Sequence, residues 1–281
     1  MTMSRLGRPR PGGVLSRTAA HARAAAVADR IRVYGGIALL GAALLLFWEF
    51  GAGLIVDRKY VSRPTEVGAE LYELAISGDL WRHTSITMYE AGLGYLIGVA
   101  VGLAAAIVLV AVPLLDEIAG PFIQAFYSIP KIALAPMFIM WFGLGTLPKV
   151  MLAALMVFLI VLVNTVAGVR GISPGLIEVS RVMGARGPSL LRTVVLPGAA
   201  PAVVASIRLT FSRAMVGAVL GEFIAATGGL GFLIVRSSRQ FETATMFAGI
   251  VVVAALVMLV NAVIRAAEAR LLPWSSTEVH G

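Results

Sequence analysis

VMLAALMVFLIVLVNTVAGV, residues 150–169, is a run of twenty residues without a charge. A hydrocarbon core about 30 Å thick is crossed by a helix of just such apolar residues, so the run predicts a membrane span. Residues 244–264 are likewise uncharged. Four further apolar runs lie at 33–53, 86–112, 118–142 and 201–226. Of the 281 residues, 59% are hydrophobic and 14% charged, and the mean hydropathy is +0.90. A soluble core of this length needs far less apolar surface. The expected fold is all-α: a polytopic membrane protein with about six transmembrane helices.

The composition also excludes some chemistry. With no cysteine, neither a disulfide framework nor a thiolate metal site is available. His21, His83 and His280 are scattered along the chain, whereas a metal site needs converging ligands. No metal site and no catalytic residues are expected.

The third run is interrupted by Ile129-Pro130-Lys131 and again by Pro136. Proline removes a backbone donor, and a break at membrane depth is tolerated only where protein or water satisfies the freed groups. Pro130, Lys131 and Pro136 are therefore candidates for a translocation pathway or gate. The fifth run carries Arg208, Arg213 and Glu222, and each charge near the bilayer centre costs about 3 kcal/mol on insertion scales. That helix is expected at a subunit interface or along a pathway. Pairing is the simpler role for Arg208; Glu222 reads as a gate contact or an interfacial group. Gly94, Gly98 and Gly102, spaced by four, predict close helix packing. Glu49 and Glu90, at span ends, read as interfacial carboxylates. Between the first two spans, Val67, Leu71, Leu74 and Ala75 recur at helical spacing opposite Glu66, Glu70 and Glu73, which predicts an amphipathic connecting helix.

Orientation follows from the basic residues. With six spans and the N-terminus inside, thirteen arginines fall on the cytoplasmic side: seven in residues 1–32, then Arg170, Arg181, Arg186, Arg192, Arg265 and Arg270. The other side holds seven basic residues: Arg58, Lys59, Arg63, Arg82, Lys149, Arg236 and Arg239. Both termini are expected in the cytoplasm of a bacterial cell whose inner membrane holds the chain. The net charge of +8 reads as a topology signal and a fit to anionic lipid, not as a nucleic-acid footprint. Three parts are expected: a basic tail over 1–32, disordered to about Ala19; a membrane domain over 33–268; and a cytoplasmic tail over 269–281.

The longest cytoplasmic connection, 170–200, is not loop-like. It contains EVSRVMGARGPSLLRTVVLP, residues 178–197. Ser173-Pro174 supplies an N-cap and a first helical position, starting a helix that runs through Val182. Glu178 and Arg181, three apart, are placed to pair. Gly184 to Gly187 break the helix, Pro188 starts a second short one, and Pro197 is expected to end it. Isolated helices so short are marginal in water, so they need something to pack against.

Glu178, Gly184, Val194, Leu196 and Pro197 have the spacing E-A-A-x3-G-x9-I-x-L-P. That spacing resembles the cytoplasmic loop of permease subunits of binding-protein-dependent ABC importers; Val179 and Ser180 replace two alanines, and Val194 an isoleucine. IPKIALAP (129–136) and WFGLG (141–145) are similar to the signatures of the nitrate, sulfonate and taurine branch. Asn164-Thr165, Arg208, Glu222 and Gly229-Leu230-Gly231 also fall where that branch has them. Ile160 and Met215 stand where many members carry proline and tryptophan.

The resemblance implies a type I importer permease, forming the pathway for a small solute such as nitrate, a sulfonate or taurine. Glu178, Arg181, Gly184, Ala185, Val194, Leu196 and Pro197 would couple it to an ATPase; Pro130, Lys131, Pro136, Asn164, Arg208, Arg213 and Glu222 would line the pathway or gate it. The implied partners are a second copy of the chain, two ATP-binding cassette subunits, an extracytoplasmic solute-binding protein and membrane lipid. No G-x-x-x-x-G-K-[ST] loop exists, and none of Lys59, Lys131 and Lys149 follows a glycine. The chain is thus expected to be no enzyme and to hold no cofactor, with ATP and Mg bound by the partner. A secondary transporter or channel driven by an ion gradient is the alternative. It would need inverted repeats and midplane acidic residues in several spans.

Overall fold

The computed structural model describes residues 12–271, with side chains described from 32 to 267. The elements are α1 (Gly12–Gly51), α2 (Pro64–Ser77), α3 (Asp79–Ala111), α4 (Pro113–Ser128), α5 (Ala135–Phe142), α6 (Leu147–Arg170), α7 (Pro174–Val182), α8 (Pro188–Ala225), α9 (Leu230–Gln240) and α10 (Thr243–Leu271). Among the described residues five helices are long and apolar enough to cross a membrane. The pair α4 and Lys131–Phe142, bent by 88°, brings the number to six when taken as one broken span. In lipid, helices satisfy every backbone group within the segment. The fold is all-α, as the apolar runs require.

Three local expectations change. The basic segment is already helical at Gly12, because residues 14–31 hold no proline or glycine and are rich in alanine and arginine, both good helix formers. The third span breaks at Ile129-Pro130 as expected, but Pro136 lies in the first turn of α5, where its missing N–H leaves no bond unmade. Pro197 does not end a helix. The chain runs through it from Pro188 to Ala225 by way of a π-helical turn at Leu191–Val195, closed by the Leu196 N–H on the Leu191 carbonyl. Such a turn shifts the hydrogen-bond ladder by one residue, which accommodates the missing proline donor.

The chain packs as two units that meet between Thr65 and Glu66. In the first, α1 presents bare apolar side chains such as Leu39, Leu40 and Phe47. The segment after it folds back: the Trp48 indole donates to the Ser62 carbonyl at 3.0 Å, and Glu49 accepts the Thr65 hydroxyl and N–H at 2.9 and 3.1 Å.

In the second unit α3, α6 and α8 form the core, with Ala91, Ala153, Val157, Val161, Phe211 and Met215 buried together. The glycine stripe sets how closely α3 approaches α6. A Cβ at Gly94 would lie 2.5 Å from the Ala153 Cβ, one at Gly98 2.6 Å from the Ala154 carbonyl, and one at Gly102 2.9 Å from the Phe158 carbonyl. Residue numbers rise together along this contact, so α3 and α6 run parallel. Across α6 and α8 they run oppositely, with Gly168 against Ala202 and Gly217 against Ala153. The amino ends of α3 and α6 therefore meet the carboxyl end of α8, and the loop holding α7 lies at the other end. The connecting helix α2 forms as expected, burying Val67 and accepting the Thr245 hydroxyl of α10 on Glu70 at 2.8 Å.

Candidate functional site

The carboxyl end of α8 meets a stripe of polar residues on α3. His83, Thr87 and Glu90 are spaced by four and three, so they share the face that continues into Gly94. Glu90 accepts the Lys149 ammonium of α6 at 2.6 Å, with the two side chains 0% and 7% exposed. Glu222 of α8, 1% exposed, uses both oxygens: one accepts the Thr87 hydroxyl at 2.7 Å, the other the Gly231 N–H at 2.6 Å.

These groups seat α9. Its first turn leaves N–H groups without intrahelical partners. His83 Nδ1 accepts the Gly229 N–H at 3.0 Å, Thr87 Oγ1 the Leu230 N–H at 2.7 Å, and Glu222 the Gly231 N–H. A carboxylate at a helix amino end also meets the positive end of the helix dipole. Gly229 has φ +106°, and a Cβ there would come within 2.0 Å of the Glu222 carboxylate, so only glycine brings the backbone this close. His83 further stacks on Phe232 of α9 at 6.0 Å. Among the described residues no three His, Asp or Glu converge to hold a metal ion.

Glu90 is thus a buried ion pair and not the interfacial carboxylate expected. Partnering with Lys149 relieves the desolvation that would otherwise drive it to the surface. His83, Thr87 and Lys149 were not singled out from sequence. The signal was present, since positions 83, 87, 90, 94, 98 and 102 form one continuous stripe of polar and small residues.

At the opposite end of α8 stands α7. Leu176, Val179, Val182 and Met183 are exposed, the last two by 89% and 82%. Gly184 and Gly187 turn the chain with φ +94° and +52°, and nothing lies within 4 Å of a Cβ at either. Backbone conformation, not crowding, is what requires glycine here. The Ala185 N–H closes the turn on the Ser180 carbonyl at 2.9 Å. Glu178 and Arg181 are exposed and form no ion pair with each other among the described residues. In water such a pair gains too little to hold two long side chains in register. Val194 is half-buried in the π turn, and Leu196 and Pro197 are exposed just beyond it.

The remaining pathway candidates are dispersed. Pro130 sits at the break before Lys131, whose ammonium donates to the Tyr127 carbonyl and lies 4.4 Å from the Tyr127 ring centre. Asn164 and Arg213 are exposed, and Arg208 is half-buried and engaged with the protein. Only Glu222 of that set belongs to the buried cluster.

The family described as binding-protein-dependent transport system inner membrane component matches residues 98–273. The chain belongs to this family. The permease is 32% identical over 240 residues to a permease protein named for aliphatic sulfonates transport in Bacillus subtilis (strain 168), covering 85% of this chain and 87% of that one. It is 32% identical over 235 residues to the riboflavin transport system permease protein of Chloroflexus aurantiacus, covering 83% and 88%. With the taurine transport system permease protein of Escherichia coli (strain K12) it shares 28% over 243 residues, covering 85% and 88%. Among solved structures it resembles in fold the inward-facing MetNI methionine ABC transporter, with TM-score 0.55 at 23% identity over 72% of this chain and 96% of that one. An amino acid ABC transporter gives TM-score 0.57 at 18% identity, covering 72% and 98%. The permease is therefore an ABC importer permease, similar to those of sulfonate and taurine systems.

Proposed function

We propose that the permease works as a homodimer in the bacterial inner membrane, forming the pathway for a small solute such as nitrate, a sulfonate or taurine. Two copies of a separate ATPase dock on the loop around α7, and an extracytoplasmic binding protein delivers solute at the opposite end. Both termini then lie in the cytoplasm, in keeping with the arginine balance, and α1 faces lipid with its bare apolar side chains.

The observation that carries this reading is the continuity of α8. Leu196 and Glu222 lie on one unbroken helix, 26 residues apart, a rise of about 39 Å. One end carries the exposed apolar face of α7 behind a glycine hinge; the other ends in the cluster that seats α9. Closure of the ATPase dimer on ATP moves α7, and α8 passes the motion to the Glu222 end. The two copies thereby alternate between inward-facing and outward-facing states. Glu178 and Arg181, free of each other, offer charges to the ATPase, and Gly184, Ala185, Val194, Leu196 and Pro197 fix the lever's angle.

A Gly184→Trp variant tests this, because a bulky L side chain at φ +94° is strained although space is open. Uptake and ATPase co-purification fall while membrane insertion is unchanged. Unaltered uptake and co-purification contradict the reading.

A further inference from the structure

A cavity of about 600 Å³ opens beside the buried cluster, at the end of the molecule away from α7. Its wall carries three cationic side chains, Lys149, Arg236 and Arg239, against one carboxylate, Glu222, and adds Thr227 and Gln240 as neutral polar groups. The charges are not equivalent. Lys149 is neutralised from behind by Glu90 at 2.6 Å. Glu222 turns its two oxygens to the Thr87 hydroxyl and the Gly231 N–H. Arg236 and Arg239 are exposed and form no ion pair among the described residues. They stand three apart on α9, which places them on one face of that helix. The cluster that seats the amino end of α9 therefore also sets which way the helix face carrying these two arginines turns.

We propose that this cavity is an anion-binding vestibule in which Arg236 and Arg239 hold the acidic group of the incoming solute, so that the permease itself selects for negative charge. Guanidinium groups bind sulfonate, carboxylate or phosphate oxygens through charge-assisted, frequently bidentate hydrogen bonds. The volume lies within the range of about 300–1,000 Å³ usual for small-molecule sites. A concave site of this size favours a small solute over an acidic patch on a docking protein. Thr227 and Gln240 supply neutral donors for the rest of the solute. The inference rests on the importer reading and adds to it a site in this chain, Arg236 and Arg239, that meets the negative charge of the solute.

The test uses the complex of permease and ATPase in detergent, with equilibrium dialysis of ethanesulfonate at fixed ionic strength and its uncharged analogue ethyl methyl sulfone as competitor. Saturable ethanesulfonate binding is expected, without competition from the sulfone. It weakens by at least about tenfold in Arg236→Gln/Arg239→Gln and much less in Arg236→Lys/Arg239→Lys. Equal competition by the sulfone, binding unchanged in the glutamine variant, or loss in that variant of binding-protein association alone overturns the proposal. Co-purification of the ATPase reports separately on the importer reading: ethanesulfonate binding to a permease that lacks it sustains the anion site and removes its role in import.

Discussion

The Glu90 carboxylate and the Lys149 ammonium meet at 2.6 Å in the interior, joining α3, about three turns along from Asp79, to the first turn of α6. Removing one partner strands the other charge away from water, at a cost of about 3–5 kcal/mol. Glu90→Leu and Lys149→Met each lower the thermal unfolding midpoint in detergent markedly. The double variant Glu90→Leu/Lys149→Met recovers most of that loss, since a well-packed apolar pair matches or exceeds a buried ion pair. Additive losses in the double variant contradict a direct interaction.

The α3–α6 contact gives a second expectation. A methyl at Gly98 lands 2.6 Å from the backbone oxygen of Ala154 and 2.6 Å from the Val157 Cβ, where no flexible side-chain end can yield. Gly98→Ala therefore forces the helices apart and destabilises by about 1–3 kcal/mol. Gly92→Ala is the control, because nothing lies within 4 Å of a Cβ there. Thermal unfolding of the two variants separates them.

Gly229→Ala combines a clash with the Glu222 carboxylate and a φ of +106°. It unseats α9 without touching the core packing of α6. Faster amide hydrogen exchange over 229–240, with α6 still protected, is the expected signature. Uniform loss of protection across both helices places the damage elsewhere.

On α7 the effect is the reverse. Val182 and Met183 are among the most exposed apolar side chains described, so Val182→Glu/Met183→Glu leaves the unfolding free energy within about 0.5 kcal/mol of the parent. ATPase co-purification falls at the same time. A stable variant that retains its ATPase shows that this face is not the docking surface.

The membrane fold was legible because its signal is long: a twenty-residue uncharged run such as 150–169 has few alternatives. The turn after α7 was legible too, since glycines at 184 and 187 announce positive φ, and both have it. Pro197 misled, because its effect depends on the ladder around it, and a π turn six residues earlier absorbs the missing donor. Glu90 misled for a different reason. Its place near a span end fits an interfacial carboxylate equally well, and only the parallel packing of α3 on α6 brings Lys149, 59 positions away, to its side. Long-range pairing of this kind leaves no mark in local periodicity.

The chain contains no cysteine, so a single Val182→Cys substitution places one reactive thiol on α7 without background. Thiol cross-linking of this variant to a partner ATPase bearing single surface cysteines, with and without ATP, asks directly whether α7 is the driven end of the lever. Cross-links that form on α7 and change in yield with ATP, while a Thr227→Cys variant at the opposite end gives none, are the expected result. Equal cross-linking from both positions, or from neither, contradicts the account.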